Sequence, residues 1–230
     1  SCGILKLLLY KGDIRLKIRD FQSRDLWPCV AGHRLVVRKS SAEMERKMEK
    51  RFGIKEVVAI GIGTALFVAL TQVQIPLGLP NTYLQPRMAV LAFLAAVFGP
   101  VVGGVVGVIG HALGDAVFYG SVWWSWVFPE AVVGIAIGLF AAKYAIKEGA
   151  FDKKAMIVFN IAQVVGNAVA WIVVAPLLDV LIYKEPALKV IAQGAGACLG
   201  NVLLIGVLGT LLAVGYSRIG AKSSSLKRED

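Results

Sequence analysis

What most constrains this chain is a succession of apolar runs, joined by short polar stretches, that are long enough to need lipid. Six such segments lie near 55–75, 84–98, 100–119, 126–146, 155–182 and 190–216. A helix needs about 20 mostly apolar residues to cross a bilayer core. Inside that core each backbone N–H and C=O must find a partner within the protein, which favours helices for runs of this length. The sequence therefore predicts an all-α, polytopic membrane protein, a bundle of six transmembrane helices. Composition agrees: 57% of residues are hydrophobic and 17% charged, outside the range of ordinary soluble domains. The second segment is short for a bilayer. It meets the third at Phe98-Gly99-Pro100-Val101, where glycine suits a helix end and proline a helix start.

The net charge of +10 is unevenly placed. Lys and Arg crowd the leader before the first segment, the joint after the fourth (Lys143, Lys147, Lys153, Lys154) and the tail (Arg218, Lys222, Lys227, Arg228). Basic residues mark the cytoplasmic side, so both termini are expected to be cytoplasmic, with joints one, three and five outside. No aromatic-basic motif points to a nucleic-acid partner. Cys2, Cys29 and Cys198 form neither a disulfide framework nor a metal-ligand spacing, so no metal is expected. Residues 1–47 differ in composition from the rest of the chain and read as an N-terminal extension, foreign to the native chain or a cytoplasmic tail. Residues 48–218 form the membrane domain, and 219–230 a cytoplasmic tail.

Polar residues inside lipid must pair with one another or line a cavity. His111 and Asp115 lie one turn apart on the third segment, and Glu130 lies one turn into the fourth. Asn160, Gln163 and Asn167 share a face of the fifth, with Trp171 one turn beyond; Gln193 and Asn201 lie on the sixth. Trp123, Trp124 and Trp126 stand at the same outer level. With the orientation above, His111, Asp115, Glu130, Gln163, Asn167, Trp171 and Gln193 are expected to line an outward-facing pocket that stacks a flat ring on tryptophan. Asn160 is too cytoplasmic to reach it, and Asp179 and Glu185 read as solvated joint residues. The first outer joint, Pro76 to Arg87, would cover the pocket with Asn81, Tyr83, Gln85 and Arg87 and move as a gate. Its prolines and Gly78 prevent a continuous helix. Small residues at helical spacing (Gly103, Gly107, Gly134, Gly138, Gly196, Gly200) suit close helix packing. Ala65 and Ala69 form a further ridge, expected to serve a partner.

The text from Leu77 to Phe118, "LGLPNTYLQPRMAVLAFLAAVFGPVVGGVVGVIGHALGDAVF", followed by "WWSWV", resembles the substrate-binding S components of energy-coupling factor (ECF) transporters, in their riboflavin-type branch. The resemblance covers roughly residues 48–218. It implies six helices, a small-molecule pocket near the outer face, no catalytic residues and no cofactor. It also implies three partners: an EcfT-type transmembrane coupling subunit, facing Ala65 and Ala69, and two ABC-type ATPases that bind the ATP. The substrate it favours is hydroxymethylpyrimidine, a thiamine precursor, then pyridoxine, riboflavin or thiamine. The bacterial cytoplasmic membrane is the implied location. The sequence has no phosphate-binding loop with Gly-Lys-Ser/Thr, so power must come from another chain. An intramembrane aspartyl protease would need a second carboxylate beside Asp115. A self-sufficient secondary transporter is the other alternative; it would normally show internal repeats, and none is evident.

Overall fold

The computed structural model describes residues 53–226, with residues 221–226 as helical backbone only. The expectations for 1–47, and for the tail beyond Leu226, lie outside the described residues. Among the described residues seven helices succeed one another: α1 (Ile54–Leu70), α2 (Arg87–Phe98), α3 (Pro100–Tyr119), α4 (Trp124–Gly138), the short α5 (Ala141–Tyr144), α6 (Lys153–Tyr183) and α7, which starts at Ala187 and ends with Thr210–Leu226. Of these, α3, α6 and α7 are long and apolar enough to cross a membrane, and α2 and α4 are shorter apolar helices.

Three boundaries differ from expectation. The first helix stops at Leu70, and the chain beyond it forms a small antiparallel hairpin, Ile75–Pro76 with Tyr83–Leu84, within an otherwise helical chain. Prolines at 76, 80 and 86 deny helical N–H donors, and Gly78 and Asn81 take positive φ, so the segment turns back on itself. The fourth segment ends as a helix at Gly138 and resumes briefly as α5, which closes at a left-handed Ala145. The fifth and sixth are not uniform α-helices: π-helical turns interrupt them at Val169–Val174, Asp179–Tyr183 and Ile205–Gly209.

The short α2 is the hub. Met88, Ala89, Leu91, Ala92, Leu94, Ala95, Ala96 and Val97 are all buried, and α1, α3, α4, α5 and α7 pack around it. Its alanines let neighbours approach from every side. The most extensive contact is between α3 and α4. A Cβ at Gly103 would stand 2.6 Å from the Gly134 carbonyl oxygen, and one at Gly138 would collide with Gly99 and Pro100. Lipid offers helices no hydrophobic drive to associate, so this contact must come from close packing. Gly196 and Gly200 behave differently from expectation. They seat Leu77, Leu79 and Leu84 of the first loop and not a neighbouring helix. The outward faces of α1, α6 and α7 carry exposed Ile, Leu and Val, as a lipid-facing surface requires.

Replacing Gly134 by alanine should therefore destabilise the protein by about 2 kcal/mol, because its new methyl lands on the backbone of Gly103. Gly215→Ala, whose Cβ would meet nothing within 4 Å, should leave stability unchanged or slightly improved. Thermal melts of the detergent-solubilised variants check both.

Candidate functional site

At the end of the bundle where α3 stops and α4 begins, a cavity of about 320 Å³ opens between α2, α3, α4, α6 and α7, roofed by the first loop. That is the small end of the range for ligand pockets. Its floor is a chain of charges from three helices. Arg87, at the start of α2, places a guanidinium nitrogen 3.1 Å from Glu130 Oε1 on α4. His111 on α3 stands between two carboxylates, its Nε2 3.3 Å from Asp115 Oδ1 and its Nδ1 3.2 Å from Glu130 Oε2. His111 Nδ1 and Glu130 Oε2 thus face each other as a buried ion pair in the floor. Arg87 also donates to Thr71 Oγ1 at 3.3 Å and lies over the Phe67 ring.

The tryptophan wall is held by a residue whose sequence position suggested a place in solvent. Asp179 is buried, not a solvated joint residue. Trp123 Nε1 and Trp126 Nε1 donate to its two carboxylate oxygens at 2.8 Å each, and the Ser125 hydroxyl donates to Oδ1. Trp123 also stacks on Tyr183, ring centroids 4.0 Å apart, and its backbone N–H donates to Asp115 Oδ2 at 3.0 Å. The loop between α3 and α4 is thereby tied to the C-terminal end of α6. Deeper in, Trp126 meets Trp171 edge to face. The first loop is tied as firmly: Gln193 Nε2 donates to the Pro80 carbonyl at 2.6 Å, and Gln85 Nε2 to the Thr71 carbonyl at 3.1 Å.

Of the residues singled out from sequence, Asn81, Tyr83, Gln85, Arg87, His111, Asp115, Trp123, Trp126, Glu130, Trp171 and Gln193 line the cavity. Three do not. Trp124 turns outward, half-exposed, against Phe128. Gln163 and Asn167 are buried in the seam between α6 and α7: Gln163 donates to the Val202 carbonyl at 3.2 Å and Asn167 to the Gln163 carbonyl at 2.8 Å. The π turn beginning at Val169 gives the helix an extra residue per turn there. Trp171 can then face the cavity although the amides one turn earlier do not. Asn160, as expected, stays below, bonded to Thr210. Residues missed from sequence include Tyr119, Asp179, Asn201 and the Glu185–Lys189 pair, 2.7 Å apart. The i, i+4 spacing of Glu185 and Lys189 was visible; for Asp179 the only hint was a carboxylate ending an apolar helix.

Comparison with known proteins places the chain. Residues 51–218 match the family model of the ECF-type riboflavin transporter, S component. A UPF0397 protein of Exiguobacterium sp. is 50% identical over 77% of this chain and 98% of its own length. UPF0397 proteins of Streptococcus gordonii and Enterococcus faecalis are 47% and 45% identical over 81% and 79% of this chain, each matched along 100% of its own length. No solved structure matches. The chain belongs to the ECF-type riboflavin transporter S component family. It is an integral membrane protein of a transporter family and not of an enzyme class, a substrate-binding subunit for vitamin uptake, and its family implies partnership with an ECF module.

Asp179→Ala should free both indoles and the Ser125 hydroxyl. Each lost bond to a buried charged group contributes about 1–3 kcal/mol, so the variant should melt earlier and its tryptophan emission should shift to the red. Unchanged emission would show that the tether does not hold the wall.

Proposed function

We propose that this S component captures a small heteroaromatic vitamin or precursor from outside the cell and presents it to the coupling subunit for ATP-driven import. Hydroxymethylpyrimidine is the first choice, followed by pyridoxine, riboflavin and thiamine. In this reading all six longer helices cross the bacterial cytoplasmic membrane, both termini are cytoplasmic and the cavity faces outward. The observation that carries it is a tryptophan-walled cavity floored by a buried, charge-paired Arg87–Glu130–His111–Asp115 chain. Ionisable groups inside a membrane protein are costly and mark a substrate path by default. A flat ring would lie against Trp126 and Trp171, its heteroatoms meeting the polar floor. The first loop, pinned through a few side-chain bonds from Gln85 and Gln193, would release to admit it.

Ala65 and Ala69 are the proposed contact with the coupling subunit. Both are exposed on α1, while the buried face of that helix, Gly63 and Phe67, packs against α2 and α3. A smooth, unpartnered ridge in lipid supports a close-packed partner helix.

Two measurements test the reading. Trp126→Ala and Trp171→Ala should each weaken ligand binding several-fold, since an aromatic contact contributes about 1 kcal/mol. Trp124→Ala should bind like the parent. Equal affinity in all three, by titration calorimetry, would remove the cavity from the function. Ala65→Trp or Ala69→Trp should leave the isolated subunit folded and able to bind, yet abolish uptake in cells carrying the ATPases. Loss of binding with retained association would place the ridge inside the protein instead.

A further inference from the structure

The ionic floor of the cavity satisfies itself. Arg87 is engaged by Glu130 and Thr71, and His111 by Asp115 and Glu130. Asp179 is held by two indoles and a hydroxyl, and Lys189 by Glu185. The amides that tie the first loop are taken as well, Gln85 by the Thr71 carbonyl and Gln193 by the Pro80 carbonyl. Asn201 is the exception. It lines the cavity from α7 and is only 5% exposed. Among the described residues its carboxamide has no hydrogen-bond partner, whereas every other buried ionic or amide side chain of the lining has one.

The helical period explains the placement. Val190, Gln193, Ala197 and Asn201 recur at i, i+3, i+7 and i+11 and share the face of α7 that lines the cavity. Gln193 and Asn201 are thus about two turns apart, roughly 12 Å along the axis. The first holds the loop; the second, further along α7, holds nothing. The amides of α6 are committed elsewhere. Gln163 donates to the carbonyl of Val202, the residue next to Asn201, and Asn167 donates to the carbonyl of Gln163. The Asn201 amide is not sealed in as Trp171 Nε1 is, so a molecule in the cavity can reach it. Leaving a buried amide unsatisfied is costly, and a ligand that supplies its partners removes that cost.

Resting on the reading of this cavity as the substrate site, we infer that Asn201 is a specificity-determining residue that reads one edge of the ligand ring. A carboxamide presents one acceptor and one donor side by side. Its complement is a ring edge with a donor next to an acceptor: an amino group beside a ring nitrogen, or a ring N–H beside a carbonyl. Asparagine reads the edge of adenine through paired bonds of this kind. A ring with acceptors alone along that edge leaves the amide oxygen unpaired, and a site built around a hydrogen bond discriminates against an analogue that lacks it.

The test crosses one residue with one ligand group, on the full chain in detergent, by titration calorimetry. The probes are hydroxymethylpyrimidine, whose amino group stands beside a ring nitrogen, its counterpart with hydrogen in place of that amino group, and riboflavin, whose ring carries N–H beside carbonyl. The parent should bind the amino ring about 10- to 100-fold more tightly than the deamino ring. In Asn201→Leu, which keeps the side-chain shape without its polar atoms, that preference should vanish. Whichever of hydroxymethylpyrimidine and riboflavin the parent binds should lose about 10- to 100-fold in affinity in the same variant. Without ligand the variant should melt no earlier than the parent, because an unpartnered amide has been exchanged for an apolar isostere. Affinity and amino preference kept in the folded variant would overturn the assignment; with an earlier melt they would mark a residue that merely packs helices. A parent that binds neither ring would instead overturn the reading of the cavity as the substrate site. Asn201→Ala, which removes the amide and adds nothing, decides the same comparison if the leucine variant does not fold.

Discussion

The structure depends on an ionic chain that lipid alone would not tolerate. Arg87, Glu130 and His111 come from α2, α4 and α3, and all are nearly inaccessible. Each charge stripped of water costs several kcal/mol unless a partner stands at contact distance. The three helices must therefore meet at one level and in one rotation, because removing any one leaves a buried charge alone. The position of the site and the packing of the helices around it thus express a single requirement.

That requirement is met by small residues. Gly103, Gly107, Gly134 and Gly138 let α3 and α4 approach backbone to backbone, which brings Glu130 within reach of His111. The alanines of α2 allow five neighbours to surround a helix of only 12 residues and deliver Arg87 to the floor. In water such a short helix would rely on a large apolar face; here close contact does the same work. The remaining apolar side chains turn outward to lipid, and the exposed alanines of α1 are left as a smooth strip among them.

The mouth of the cavity is built from two loops, each tied by few bonds to a long helix. Asp179 ties the tryptophan loop to α6, and Gln193 ties the first loop to α7. Trp171 and Asp179 both lie within π-helical turns. Such turns weaken the regular ladder and recur at functional sites because they re-aim side chains.

The sequence by itself determined the helical class, the third helix to its end residues, and the level at which polar groups gather. Hydropathy and the Gly99-Pro100 joint are local signals that lipid enforces on every backbone group. His111, Asp115 and Glu130 were legible because ionisable residues in apolar runs have few permissible roles. What tertiary structure alone decided was pairing and rotation. That Asp179 binds Trp123 and Trp126, 56 and 53 residues away, depends on where α6 ends relative to α4. That Gln163 and Asn167 seal a helix seam while Trp171 reaches the cavity depends on a π turn that no periodicity announces. Gly196 and Gly200 of α7 meet loop leucines for the same reason: spacing says that a backbone can be approached closely, and only the assembled bundle says by what.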